Sequence, residues 1–301
     1  MVELRFAALP EYSWPGGTIE GEVDLEVDKP ARSRDLVLTL KGQEITQTEE
    51  RESTVTGVQS GQSLNPRQQE VDFLGLSLDL HDALQYTDEG HVAPGTYRCP
   101  FTFQLPPDAP PSIASSIVPA QPSFWNARPA GAYIEYQLEA RFVVPLWVDT
   151  VCRARIPVFS TRRVLGALSP MGSPPDPNHP SFVIVPDPKP LLPGSPFEGG
   201  YMVSNPTGKS LRVIELSLRR LFEYSVRGLR RSEAAPEFTC EIELGGREPT
   251  YQGRFSMPLP NNASMTGPWQ GTLLRSYWVA KAVLDVELGF SHTVEAPLNP
   301  V

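Results

Sequence analysis

Between residues 18 and 27 apolar and acidic positions alternate without a break. Ile19, Gly21, Val23, Leu25 and Val27 fall on one side, and Glu20, Glu22, Asp24 and Glu26 on the other. A period of two with one carboxylate face predicts a β-strand that lies on a core and turns its other face to water. Leu36, Leu38 and Leu40 repeat the pattern, and Phe101, Phe103 and Leu105 alternate with Thr102 and Gln104, so these aromatics face a core. Further on, Tyr133, Glu135, Gln137 and Glu139 form a predicted solvent side, with Ile134, Tyr136, Leu138 and Ala140 inward. Turn residues bracket the strands: Pro15-Gly16-Gly17, Pro94-Gly95 and Pro106-Pro107. No segment carries a convincing helical period.

The pattern occurs twice. Pro193-Gly194 follows Pro15-Gly16 by 178 residues, and the same shift carries Gly21 to Gly199, Leu25 to Val203, and Leu36, Leu38 and Leu40 onto Ile214, Leu216 and Leu218. A shift of 154 then places FTFQLP (101–106) on FSMPLP (255–260), and each is followed by an aromatic-led strand, AYIEYQLEARFVV (132–144) or SYWVAKAVLDVEL (276–288). The falling offset means shorter loops in the second copy. Internal duplication is the strongest signal in the chain.

With 301 residues and 33 prolines, the chain is long for one domain and poor in helix-compatible sequence. The expected fold is all-β, two tandem antiparallel β-sandwiches. The expected boundaries are 1–166, a Pro-rich connector at 167–182, and 183–301. The region around the connector, LGALSPMGSPPDPNHPSF (165–182), reads as stiff and extended. Two insertions mark the first copy, at 48–70 and 110–132. The second holds Phe124 and Trp125, which either tuck under the loop as a satellite core or stand out as anchors for a partner.

The net charge of −9 disfavours general nucleic-acid binding. It is unevenly spread: residues 11–90 hold 17 acidic and 6 basic side chains, while residues 207–231 hold 7 basic and 2 acidic. No run of about 18 uncharged apolar residues is present, so no transmembrane segment is expected. The opening MVELRFAALPEYSW lacks the basic and apolar regions of a secretory leader. Cys99, Cys152 and Cys240 are odd in number and scattered, as inert thiols in a reducing cytoplasm would be.

Candidate chemistry is sparse. LHDALQYTDEGH (80–91) gathers His81, Asp82, Asp88, Glu89 and His91, but no metal-site spacing supports it over a solvated loop. NPTGKS (205–210) superficially resembles the end of a phosphate loop, yet position 203 is Val where that loop needs Gly. No GxSxG elbow occurs. The expectation is no catalytic residue, no metal and no cofactor.

The basic stretch is the one surface feature with a specific reading. Arg212, Arg219, Arg220, Arg227, Arg230 and Arg231 can receive phosphates or carboxylates through their forked donors. The alternative is that alternating arginines merely keep a strand face wet and its edge unpaired.

Several segments, in order, resemble arrestin-type domains. YSWPGGTIEGEVDL (12–25) is similar to the opening of such domains and LVLTLKGQE (36–44) to the strand that follows. PGTYRCPFTFQLPPDAPPS (94–112) resembles the family's most recognisable segment, and YIEYQLEAR (133–141) the strand after it. The resemblance covers nearly all of the first copy and, more faintly, the second; α-arrestins and the retromer-subunit type are the nearest company. It implies sandwiches of arrestin-like (immunoglobulin-like) type. It also implies a non-catalytic cytoplasmic scaffold or adaptor that binds tails or domains of other proteins in trafficking or signalling, with an anionic membrane surface as a second possible contact. The sequence departs from the family's elaborations: it has no PPxY, and with SHTVEAPLNPV just beyond the last predicted strand no long regulatory tail is expected. Another function class stays open, a carbohydrate- or surface-binding tandem β-sandwich, which would use exposed aromatics such as Trp125.

Overall fold

The computed structural model describes residues 2–33, 35–51, 64–114, 131–145, 148–160, 164–234, 238–261, 266–287, 289 and 291–299. Among these, strands dominate and the one helical piece is a 3-10 turn at His81–Ala83. The chain divides into two compact units, one comprising residues 1–114 and 132–161 and the other residues 162–301.

The first unit runs through β1 (Val2–Ala8), β2 (Thr18–Val27), β3 (Asp35–Arg51), β4 (Leu64–Asp79), β5 (Gly95–Gln104), β6 (Ile113–Ala114), β7 (Gly131–Val143) and β8 (Thr150–Arg155). One sheet has the order β1-β2-β5; the other has β4-β3-β7-β6, with β8 also on β7. In β2 the alternation behaves as the sequence dictates, with Ile19, Val23, Leu25 and Val27 buried and Glu20 and Glu26 exposed. Phe101 and Phe103 on β5 are buried against the same core. Two residues depart from the pattern. Tyr133, on the expected wet face, is buried where β6 pairs beside it. Asp24 is buried because the register sets Arg5 and Arg98 opposite it on the two flanking strands, at 3.0 and 3.8 Å.

The second unit contains β9 (Met171–Gly172), β10 (Ser181–Pro186), β11 (Phe197–Ser204), β12 (Leu211–Val226), β13 (Leu229–Ala234), β14 (Phe238–Gly246), β15 (Thr250–Met257), β16 (Trp269–Gln270), β17 (Leu274–Val286) and β18 (His292–Pro297). Its sheets are β15-β11-β10-β9 and a six-stranded one centred on β12 and β17. β17 pairs along the length of β12, so β14 and β13 share the opposite edge of β12, one after the other. The core packs Phe182, Phe197, Leu216, Leu218 and Trp278 together, and Leu165, Leu168 and Met171 are buried with them.

The wiring of the two units is the same. β2 lies between β1 and β5 as β11 lies between β10 and β15; β3 lies between β4 and β7 as β12 lies between β13/β14 and β17; β8 flanks β7 as β18 flanks β17. Each unit is an antiparallel β-sandwich, and the fold is all-β.

Candidate functional site

The arginines of the basic stretch sit on β12 and β13, and the period of two sorts them. Along β12 the inward row is Ile214, Leu216, Leu218, Arg220, Phe222, Tyr224 and Val226, all buried. Arg220 therefore points into the sandwich while its neighbour Arg219 points out. Its guanidinium lies 5.1 Å from the centre of the Phe222 ring and donates from Nη2 to Ser276 Oγ at 2.9 Å. Burial pushes its pKa down to about 10, which still leaves it charged near neutrality. This arginine is part of the core and is not offered to a ligand.

Two others are neutralised on the outer face. Arg219 pairs with Glu295 at 2.6 Å, and Arg212 lies 3.7 Å from Asp285 and 3.8 Å from Glu287. Arg227 and Gly228 form the tip of the β12–β13 hairpin, with φ of 49° and 85°. Positive φ at both central residues is the two-residue turn whose twist matches paired strands.

Arg230 and Arg231 remain. They stand exposed on β13, and neither makes an ion pair or side-chain hydrogen bond among the described residues. They line an open groove of about 530 Å³ together with Glu223, Tyr224, Ser225, Thr272 and Arg275. Arg275 stacks 4.7 Å over Tyr277 and lies 3.8 Å from Glu223, whose carboxylate accepts from Tyr277 Oη at 2.6 Å. Burial first, and that carboxylate second, raise the Tyr277 pKa, so its phenol stays a donor that fixes Glu223. The groove thus carries two uncommitted guanidiniums, with a third tethered beside them.

The other sequence candidates do not assemble. His81 Nδ1 bonds Tyr86 Oη at 2.8 Å, whereas His91 Nε2 accepts from Arg32 Nε at 3.1 Å, so the two imidazoles serve different local contacts. Among the described residues no three His, Cys, Asp or Glu side chains are arranged to hold a metal. NPTGKS is a turn between β11 and β12, closed by the buried Asn205 side chain donating to Lys209 O at 2.8 Å. All three cysteines are free, and burial raises each thiol pKa, that of Cys152 to about 11. Phe124 and Trp125 lie outside the described residues.

Sequence reasoning missed two groupings. Tyr12, Trp14 and Phe159 form an exposed aromatic cluster in the first unit, with ring centres 5.9 and 5.5 Å from Tyr12. The buried Ser13 pairs with Val158 and turns its neighbours outward. In the second unit His179 bonds Asp176 at 2.9 Å and lies 6.2 Å from the ring of His292. The first had a local signal in the YSW spacing; the second, across more than a hundred residues, had none.

No helix among the described residues is long and apolar enough to cross a membrane. No curated protein matches the chain. The family model for the arrestin (or S-antigen) N-terminal domain matches residues 2–162. That match spans more than half of the 301 residues and falls on the unit whose strands carry the segments quoted above, and the chain belongs to the arrestin family.

Proposed function

We propose that this chain is a non-catalytic adaptor that binds acidic segments of partner proteins in the groove beside β13. Arrestin-type proteins are in general scaffolds for other proteins, which supports the class. The observation that carries the reading is the division among the arginines: Arg212, Arg219 and Arg220 have internal partners, whereas Arg230 and Arg231 line the groove uncommitted. In a chain of net charge −9, exposed guanidiniums that no carboxylate pairs with select anions, and their forked donors suit carboxylate pairs. Three free cysteines support a reducing compartment and a cytoplasmic setting.

The test is fluorescence anisotropy of the full chain with labelled acidic, neutral and basic peptides at low salt. The acidic peptide binds, the others do not, and R230S/R231S weakens binding about tenfold, or about 1.4 kcal/mol. Binding falls as salt rises, because the rim is exposed. Tight binding of phosphatidylserine vesicles with no peptide binding would move the function to a membrane surface. Strong glycan binding without peptide binding would move it to the carbohydrate class.

A further inference from the structure

We infer that β13 is a docking edge, to which an extended acidic peptide adds as a further strand, with two consecutive acidic residues meeting Arg230 and Arg231 on opposite faces. The inference rests on the adaptor reading of the same two arginines and places the peptide on the outer edge of β13, beside the groove and not across its β12 floor.

The backbone supplies the first argument. Among the described residues β13 pairs with β12 alone. Ser225 sits opposite Arg230, yet its N–H donates to Leu273 O at 3.1 Å, away from β13. Ser225 and Arg230 are therefore a non-hydrogen-bonded pair of the antiparallel ladder, and the N–H and C=O of Arg230 point to the outer edge. By the same alternation Ser232 and Ala234 turn their main-chain groups outward, while Leu229, Arg231 and Glu233 bond to β12. One edge thus presents outward donors and acceptors at every second residue, the template on which strand addition depends.

The side chains supply the second. Consecutive residues of a strand project to opposite faces, so Arg230 shares the face of Ser225, and Arg231 that of the inward row containing Tyr224. A guest strand opposite them has the same alternation. Carboxylates at adjacent positions place one on each face and reach both guanidiniums; carboxylates two apart lie on one face and reach one.

Charge selects the occupant. A second copy of this chain pairing through β13 in the register centred on Arg230 and Arg231 would bring uncommitted arginines together, and like charges across a ladder are unfavourable. An acidic strand relieves that repulsion, and because Arg275 lies across β12 from this edge and is tied to Glu223, the selection falls to Arg230 and Arg231.

The experiment uses the full chain, anisotropy at low salt, and three sets of labelled, end-capped hexapeptides. The first is Thr-Val-Glu-Asp-Val-Thr. The second, Thr-Glu-Val-Asp-Val-Thr, has the same composition with the acids two apart. The third is the first peptide N-methylated at one or the other alternating set of amides. The adjacent-acid peptide binds about tenfold tighter than the spaced one, the value of roughly one charge-assisted contact. One methylated set loses binding and the other keeps it, because alternate amides face the edge. The R230S/R231S chain loses the preference between the first two peptides while keeping its circular-dichroism spectrum. Equal binding of both methylated sets and the parent overturns strand addition and leaves the adaptor groove standing if R230S/R231S still weakens binding. Equal affinity for adjacent and spaced acids overturns the two-face assignment. No binding of any acidic peptide removes both the docking edge and the adaptor reading.

Discussion

Gly21 and Gly199, 178 residues apart, meet equivalent pairs of neighbours, a carbonyl of the preceding strand and a phenylalanine ring. A methyl group on Gly21 would come within 2.6 Å of both the Ala8 carbonyl oxygen and the Phe101 ring; on Gly199 it would come within 2.6 Å of the Val185 carbonyl oxygen and 2.8 Å of the Phe255 ring. Each glycine is paired to that phenylalanine in the ladder, so the ring folds flat over the space a side chain would take. The repeat in the sequence is thus a repeat of a steric arrangement.

Substitution there is costly in either unit. Gly21→Ala and Gly199→Ala each lower stability by about 2 kcal/mol, since a carbonyl and a core ring must both move. Gly75→Ala is the control, because nothing lies within 4 Å of the added atom, and it changes stability by less than about 0.5 kcal/mol. Urea midpoints of the three variants check this, and a neutral Gly199→Ala would refute the shared packing.

The arginines of β12 and β13 separate in the same measurement. Arg220→Ala leaves Ser276 Oγ and the Phe222 face without their cation and opens a gap, costing about 3 kcal/mol. R230S/R231S costs less than about 0.5 kcal/mol, because both side chains are exposed. If Arg220→Ala bound acidic peptide weakly yet melted as the parent does, its place in the core would be wrong.

Glu139 gives the chain an acid-sensitive point. Burial acts to raise its pKa, but hydrogen bonds from Arg141 at 2.6 Å and Arg153 at 2.7 Å outweigh it and hold the carboxyl below its ordinary 4.5. A carboxyl depressed in the folded state stabilises above its unfolded pKa, and the contribution drains away as pH falls below about 4.5. Glu139→Gln therefore costs about 1 kcal/mol at pH 7 and progressively less toward pH 3, measured by urea midpoints. A constant difference across that range would contradict the depressed pKa.

The thiols are chemically quiet while the fold is intact. With its pKa raised to about 11, Cys152 carries about a hundredfold less thiolate near pH 8 than it would at its ordinary 9. Iodoacetamide labels Cys152 slowly in the native protein and fast in 8 M urea, with peptide mapping as the readout. Rapid native labelling would place Cys152 in a different environment.

Much of the architecture was legible because alternation and turn residues are local signals. Leu38 and Leu216, or Phe101 and Phe255, declare their strands within five residues of sequence. Arg220 was legible too, two positions from Leu218 in the inward row, but composition groups it with Arg219 and hides the difference of face. The partners of Arg212 and Arg219 were not legible: Asp285, Glu287 and Glu295 arrive through cross-strand register that no local pattern encodes. Asp24 belongs to the same class, since its burial depends on Arg5 and Arg98 on separate strands. Partners fixed by register over long separations are what a one-dimensional reading loses.

β12 is at once the spine of the second sandwich and the floor of its groove. Its inner row is anchored in the interior, so the recognition surface inherits the stiffness of the folded body and needs no ordering when a guest arrives. The six residues of β13, by contrast, contribute little to that interior. Natural variation, or an engineer, can rewrite Leu229–Ala234 as a cassette and change what the protein greets without disturbing what keeps it standing.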